Sequence, residues 1–200
     1  VDTELKETIV LDDIIPEDFQ NYVHSVLTTS ESWRFIRDMS YATCELRYPS
    51  YGFNMMFKHP GVGVTSELYE KLSVPLISYI QSEVNLEEKE IYFNRSFLQL
   101  PLDQKFIKEH NGIHVDIPQD HYACIYYVND CDGETILYDQ TIHNTQGGSK
   151  NVDLKEHKRV MPKKGRVVLF DGARYHCSSQ PRESYRCIIN FDLIKQTEGL

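Results

Sequence analysis

Two hundred residues with 40% hydrophobic content suit one domain, because a chain of this length buries a full core without splitting. The formal net charge of −9 argues against sequence-independent attraction to nucleic acid or anionic lipid, which needs a dense basic surface. No apolar run approaches the roughly 20 residues of a membrane-spanning helix, so a soluble protein without membrane attachment is expected. Cys44, Cys124, Cys131, Cys177 and Cys187 are odd in number and form no C-x-x-C pair, which reads as free thiols in a reducing compartment. The first residue is Val1 rather than Met, which leaves a removed leader open.

In chain order, the stretch from Thr8 to Ile15 alternates as a strand, and Pro16-Glu17-Asp18 then opens a helix that continues to about Leu27. The segment from Tyr48 to Val64, rich in Gly, Pro and aromatics, reads as an ordered loop without regular structure. Leu68, Leu72, Leu76, Tyr79 and Ile80 recur at near-helical spacing and predict a second helix from about Ser66 to Val84.

From Ile91 onward, short β-branched and aromatic runs alternate with turn signals. The runs are approximately Ile91 to Leu98, Gly112 to Ile117, His121 to Val128, Glu134 to Tyr138, His157 to Met161, Arg166 to Phe170, Arg174 to Ser178, and Tyr185 to Leu193. Antiparallel strands following N-terminal helices fit a jelly roll, a cupin-like double-stranded β-helix whose two sheets enclose a cavity. The predicted organisation is one domain over 1–200, with a helical part to about residue 90 and a β core over 91–193. Between the fourth and fifth runs, Asp139 to Glu156 makes a long connection that reads as a candidate lid.

The chemistry begins at His114-Val115-Asp116, where strand geometry sends both polar side chains to one face. Alone, the pair reads more simply as a surface His beside a solvated acid. His176, on the seventh run, supplies a third donor, and two imidazoles with one carboxylate form the facial triad that leaves three positions of an octahedral Fe(II) open. His24, His59, His110, His143 and His157 lack partners at chelating spacing and read as structural or solvated, whereas His121 opens the third run and is placed to support the ligands.

Ten residues beyond His176, Arg186 begins an apolar strand in which Arg186, Ile188 and Asn190 share one face and Cys187, Ile189 and Phe191 the other. A buried guanidinium is costly unless an anion meets it, and its fork matches a carboxylate. A dicarboxylate whose other end chelates the metal fits both, which points to 2-oxoglutarate. The competing reading of Arg186 is a strand-end side chain snorkelling to solvent.

The ordered set His114-x-Asp116, His176 and Arg186, with Ala123 to Asn129 and Asp132-Gly133-Glu134-Thr135 between, resembles the prolyl 4-hydroxylase-like branch of the 2-oxoglutarate/Fe(II) oxygenases. The resemblance covers roughly Ile91 to Leu193, and Ile9 to Asp13 with Pro16-Glu17-Asp18 is similar to that family's opening strand and helix. It implies catalytic iron held by His114, Asp116 and His176, and 2-oxoglutarate bound by Arg186 with Tyr127 and Asn190. It also implies dioxygen as oxidant, ascorbate as accessory reductant, and a peptide or small-molecule substrate.

The family's tyrosine on the strand before H-x-D is missing; Leu98-Gln99-Leu100-Pro101 stands there, with Tyr92 or Gln99 as the substitute. That departure resembles short microbial and phage oxygenases, implying a bacterial cytoplasm or that of a phage's host. Three alternatives stay open on sequence alone: a cupin-like metalloenzyme that does not use 2-oxoglutarate, a non-catalytic jelly-roll binding module, and a zinc hydrolase.

Overall fold

The computed structural model describes residues 7–37, 51–86, 89–103, 109–145 and 153–195. Strand β1 (Ile9–Leu11) leads through Ile15 into helix α1 (Glu17–Thr29), whose first turn carries Glu17 and Asp18 against the positive helix end. Val23 and Leu27, one helical turn apart, are its buried face.

The second predicted helix begins later and differently. A π-helical turn at Tyr69–Ser73 precedes helix α2 (Val74–Glu83). Pro75 at the second position of α2 has no N–H to return to the preceding turn, which accounts for the wider turn there.

The main departure from the sequence reading lies between the helices. Strands β2 (Arg34–Ile36), β3 (Gly52–His59) and β4 (Gly63–Val64) occupy a region that includes the expected irregular loop. Alternation puts Phe53, Met55 and Phe57 on one face of β3, and the last two are buried in the core. Glycines at positive φ, Gly61 at 77° and Gly63 at 90°, turn β3 back into β4, so the Gly and Pro signals mark the ends of a strand rather than its absence. The part of the expected loop up to residue 50 lies outside the described residues.

The remaining strands are β5 (Lys89–Gln99), β6 (Tyr122–Tyr127), β7 (Thr135–Thr141), β8 (Glu156–Val160), β9 (Val167–Asp171), β10 (Arg174–Ser178) and β11 (Arg186–Lys195). All pair antiparallel. The larger sheet runs β1-β9-β6-β11-β5-β3-β2 with β4 on β3, and the smaller runs β10-β7-β8. Because β7 extends to Thr141, the expected lid is shorter than read from sequence, and its segment 146–152 lies outside the described residues.

One face of the larger sheet packs Tyr126, Leu169, Ile189 and Phe191 against Leu27, Leu76 and Ile80 of the helices. The other face packs Phe97, Ile125 and Ile188 against Leu137 and Val160 of the smaller sheet. The alternation read for β11 therefore holds: Cys187, Ile189 and Phe191 meet the helices, while Ile188 points between the sheets. Among the described residues no helix is long and apolar enough to cross a membrane, and Cys124, Cys131, Cys177 and Cys187 are free; Cys44 lies outside them.

Candidate metal and anion site

The stretch expected to form a strand over Gly112 to Ile117 is not one. It touches the smaller sheet through a single antiparallel bridge, His114 to His176, and Pro118, without an N–H, follows soon after. That bridge decides the site's geometry. The two histidines exchange both backbone hydrogen bonds, at 2.9 and 3.0 Å, and a directly opposed pair sends its side chains to the same face. The imidazoles stand with ring centroids 4.7 Å apart, and Phe170 meets the His176 ring edge-on at 5.1 Å.

Each ring is held by its Nδ1. His114 Nδ1 lies 2.8 Å from the Gly112 carbonyl and His176 Nδ1 lies 3.1 Å from the Arg174 carbonyl. A carbonyl only accepts, so the proton sits on Nδ1 and both Nε2 lone pairs are free to bind an ion. Burial, helped by the neighbouring His176, pushes the His114 pKa down to about 4, so its imidazole is neutral near pH 7.

Asp116 completes the set. Its Oδ1 lies 3.8 Å from His114 Nε2 and its Oδ2 lies 3.3 Å from His176 Nε2. Burial opposes its ionisation, but Arg95, followed by His176 and His114, outweighs burial and holds the carboxyl well below the usual carboxylate range. Donor atoms of His114, Asp116 and His176 all lie within 4.8 Å of one another. Donors about 2.1 Å from one ion stand roughly 3 Å apart at right angles, so small rotations of these side chains could close them on a metal.

A small cavity, open to solvent, is lined by these three residues and, among others, by Thr135, Arg186 and Asn190. Arg186 is 4% exposed. It gives its Nε–H to the Gly133 carbonyl at 2.8 Å and an Nη–H to Thr135 Oγ1 at 3.0 Å, and no acidic side chain pairs with it among the described residues. Gly133 is required at this approach, since a Cβ there would meet Arg186 Cδ at 2.9 Å and the Ser179 carbonyl at 3.3 Å.

Asn190 donates weakly to Asp116 Oδ2 at 3.4 Å, which places it beside the carboxylate of the triad. Tyr127 sits one step behind the cavity. Its hydroxyl donates to Thr135 Oγ1 at 2.6 Å, and its ring centroid is 5.9 Å from the Arg186 guanidinium. Because Thr135 Oγ1 accepts from both Tyr127 and Arg186, its own O–H is left to donate, and Thr135 lines the cavity. Gln99 exchanges hydrogen bonds of 3.3 and 3.2 Å with the side chain of Asn111, a lining residue, whereas Tyr92 falls at the β5–β11 register shift.

The other histidines are occupied elsewhere: His24 with the Tyr185 hydroxyl at 2.8 Å, His157 with Asp139 at 2.8 Å, and His143 with Asp120 at 3.2 Å. His59 and His110 each place Nδ1 2.7 Å from a backbone carbonyl. His121 is buried next to the site, with Nε2 3.8 Å from Asp192 Oδ1.

Sequence reading missed Arg95, Asp192 and Thr135. The first two carried the same signal as Arg186, a charged residue inside an apolar strand. Arg95 Nε, His121 Nε2, Asn190 Oδ1 and Asp192 Oδ2 are buried without hydrogen-bond partners, a concentration of unmet polar atoms unlike a packed core. Burial, with the Asp116 charge adding to it, raises the Asp192 carboxyl well above its usual range.

This architecture is shared with the 2-oxoglutarate/Fe(II) oxygenases, prolyl hydroxylases among them. A 2OG-Fe(II) oxygenase family oxidoreductase from Burkholderia pseudomallei superposes with a TM-score of 0.64 at 12% identity, covering 96% of this chain and 86% of that one. The epimerase SnoN of nogalamycin biosynthesis, in complex with Fe3+, alpha ketoglutarate and nogalamycin RO, gives 0.62 at 8% identity over 94% and 78%. A Trichoplax adhaerens prolyl hydroxylase bound to a peptide fragment of the hypoxia inducible factor oxygen degradation domain gives 0.56 at 16% identity over 94% and 84%. No protein-family model and no curated protein matches the chain by sequence.

Proposed function

We propose that this chain is a single-domain, jelly-roll oxygenase that depends on Fe(II) and 2-oxoglutarate and hydroxylates a C–H bond of a prolyl, other peptidyl or small-molecule substrate. One observation carries the reading: a single cavity is lined by two imidazoles with free Nε2 atoms, a carboxylate, and a buried arginine without an acidic partner among the described residues. The arginine adds a site for an anion beside the metal donors, as a chelating dicarboxylate requires. The fold shared with 2-oxoglutarate/Fe(II) oxygenases supports the same reading.

In this account His114, Asp116 and His176 hold the iron, and Arg186 takes the far carboxylate of 2-oxoglutarate. Iron so held supplies dioxygen activation, coupled to conversion of 2-oxoglutarate into succinate and carbon dioxide. The chain's own residues prepare that chemistry. The Gly112 and Arg174 carbonyls fix the imidazole tautomers, so no proton need leave His114 near pH 7 before an ion binds. Gly133 and Thr135 hold the Arg186 fork, while the free Thr135 O–H offers a neutral donor in the cavity. Phe97, Ile125 and Ile188 give the same cavity an apolar wall.

Succinate formation tests the proposal. The chain with Fe(II), 2-oxoglutarate and dioxygen, given a panel of proline-containing peptides, free amino acids and nucleosides, is expected to produce succinate with at least one of them. Dependence on iron and loss in His176→Ala are expected too. Succinate formation undiminished by a metal chelator overturns it.

A further inference from the structure

We propose that Arg95 is a positioning residue for the metal-binding carboxylate: it holds one oxygen of Asp116 so that the other is presented to the ion. The inference rests on the reading of His114, Asp116 and His176 as metal ligands.

Arg95 lies in the middle of β5, opposite Asn190 of β11 and Met56 of β3, and is 6% exposed. A guanidinium in the interior of a central strand persists only where anions compensate it. Asp116 does so: one Nη contacts its Oδ1, and the same Nη lies 4.0 Å from the Asp192 carboxyl. Phe93 and Phe97, neighbours on the same face of β5, place their ring centroids 4.1 and 5.2 Å from the guanidinium carbon, which restricts the plane of the fork.

Asp116 is thereby divided between two sets of partners. Arg95 takes Oδ1, whereas Oδ2 faces His176 Nε2 at 3.3 Å and Asn190 at 3.4 Å. A carboxylate fixed in this way offers one oxygen instead of chelating with both. Arg95 is not among the cavity-lining residues, so it acts through Asp116 and not by touching co-substrate or substrate. The Asp192 carboxyl, fully buried, packs on the same guanidinium at 4.0 Å.

The test uses the full chain loaded with Co(II), whose visible bands report coordination number and geometry. Removing a residue that orients a ligand typically costs 10–100-fold in metal affinity. Arg95→Met is expected to weaken Co(II) binding by roughly that factor and to change the band intensities, because both Asp116 oxygens become available. Arg95→Lys, which keeps a charge but loses the fork, is expected to fall between and decides the matter if the Met variant does not fold. Wild-type affinity and spectrum in either folded variant overturn the proposal while leaving the triad intact. Failure of the wild-type chain to bind Co(II), or wild-type binding by His176→Ala, overturns the triad reading and this proposal with it.

Discussion

Replacing Arg186 by Leu separates a metal protein from a 2-oxoglutarate enzyme. A guanidinium has five N–H donors. Gly133 and Thr135 take two of them and leave the rest for an anion in the cavity. Removing one partner of a buried ion pair costs about 3–5 kcal/mol, which corresponds to roughly two to four orders of magnitude in affinity. The substitution also strips the Gly133 carbonyl of its donor, a loss of about 1–3 kcal/mol in stability, whereas Thr135 keeps its bond from Tyr127. Arg186→Lys should retain part of the affinity, because a point charge replaces the fork. The assay is calorimetric titration of 2-oxoglutarate into the Mn(II)-loaded chain without oxygen, after folding has been checked by circular dichroism. Weakened 2-oxoglutarate binding with unchanged Mn(II) affinity is expected. Wild-type 2-oxoglutarate affinity in Arg186→Leu would refute the assignment and direct attention to Arg174 or Arg182.

Two further expectations concern the scaffold. Gly172 abuts the His121 ring so closely that a Cβ there has no space, and overpacking of this kind costs about 1–3 kcal/mol. Gly172→Ala should therefore lower Tm by roughly 2–4 °C per kcal/mol, and an unchanged melting curve would contradict the packing described. Asp12 receives two hydrogen bonds from Arg166, at 2.9 and 2.8 Å, and that partner holds its carboxyl below the ordinary value. A depressed folded-state pKa gives stability that is present above the unfolded value of about 3.9 and lost as pH falls through the folded one. Asp12→Asn should thus lower stability at pH 7 by about 0.2–1 kcal/mol, with the gap closing toward pH 2; a gap that does not change with pH would rule out the ion pair as its source.

Reading the sequence worked best where a physical period was uninterrupted. Strands β6, β9, β10 and β11 carry β-branched and aromatic residues bounded by turn residues, and their limits fell within a few positions of the runs expected. Strand β3 escaped notice because its hydrophobic face is made of Met and Phe between glycine-rich ends, and its pairing with β5 is a long-range contact that no local pattern announces. The stretch around His114 failed in the opposite sense, as an alternating sequence that the fold uses for one bridge only.

At the site, His114, Asp116, His176 and Arg186 were legible from residue type and order, and all four line one cavity. Which groups support them was not. Thr135 looks like an ordinary strand threonine until both Tyr127 and Arg186 are seen to donate to it. Arg95 becomes meaningful only when β5 lies beside β11 and the Asp116 loop folds over it.

The central claim is that one cavity binds iron and 2-oxoglutarate together. Visible absorption under strict exclusion of oxygen tests it directly, because simultaneous chelation of Fe(II) by 2-oxoglutarate produces a band that neither component gives alone. A band that appears only with both added, saturates at one equivalent of iron, and is lost in His176→Ala is the predicted result. No new absorption with both present, or the same band in His176→Ala, would contradict the account.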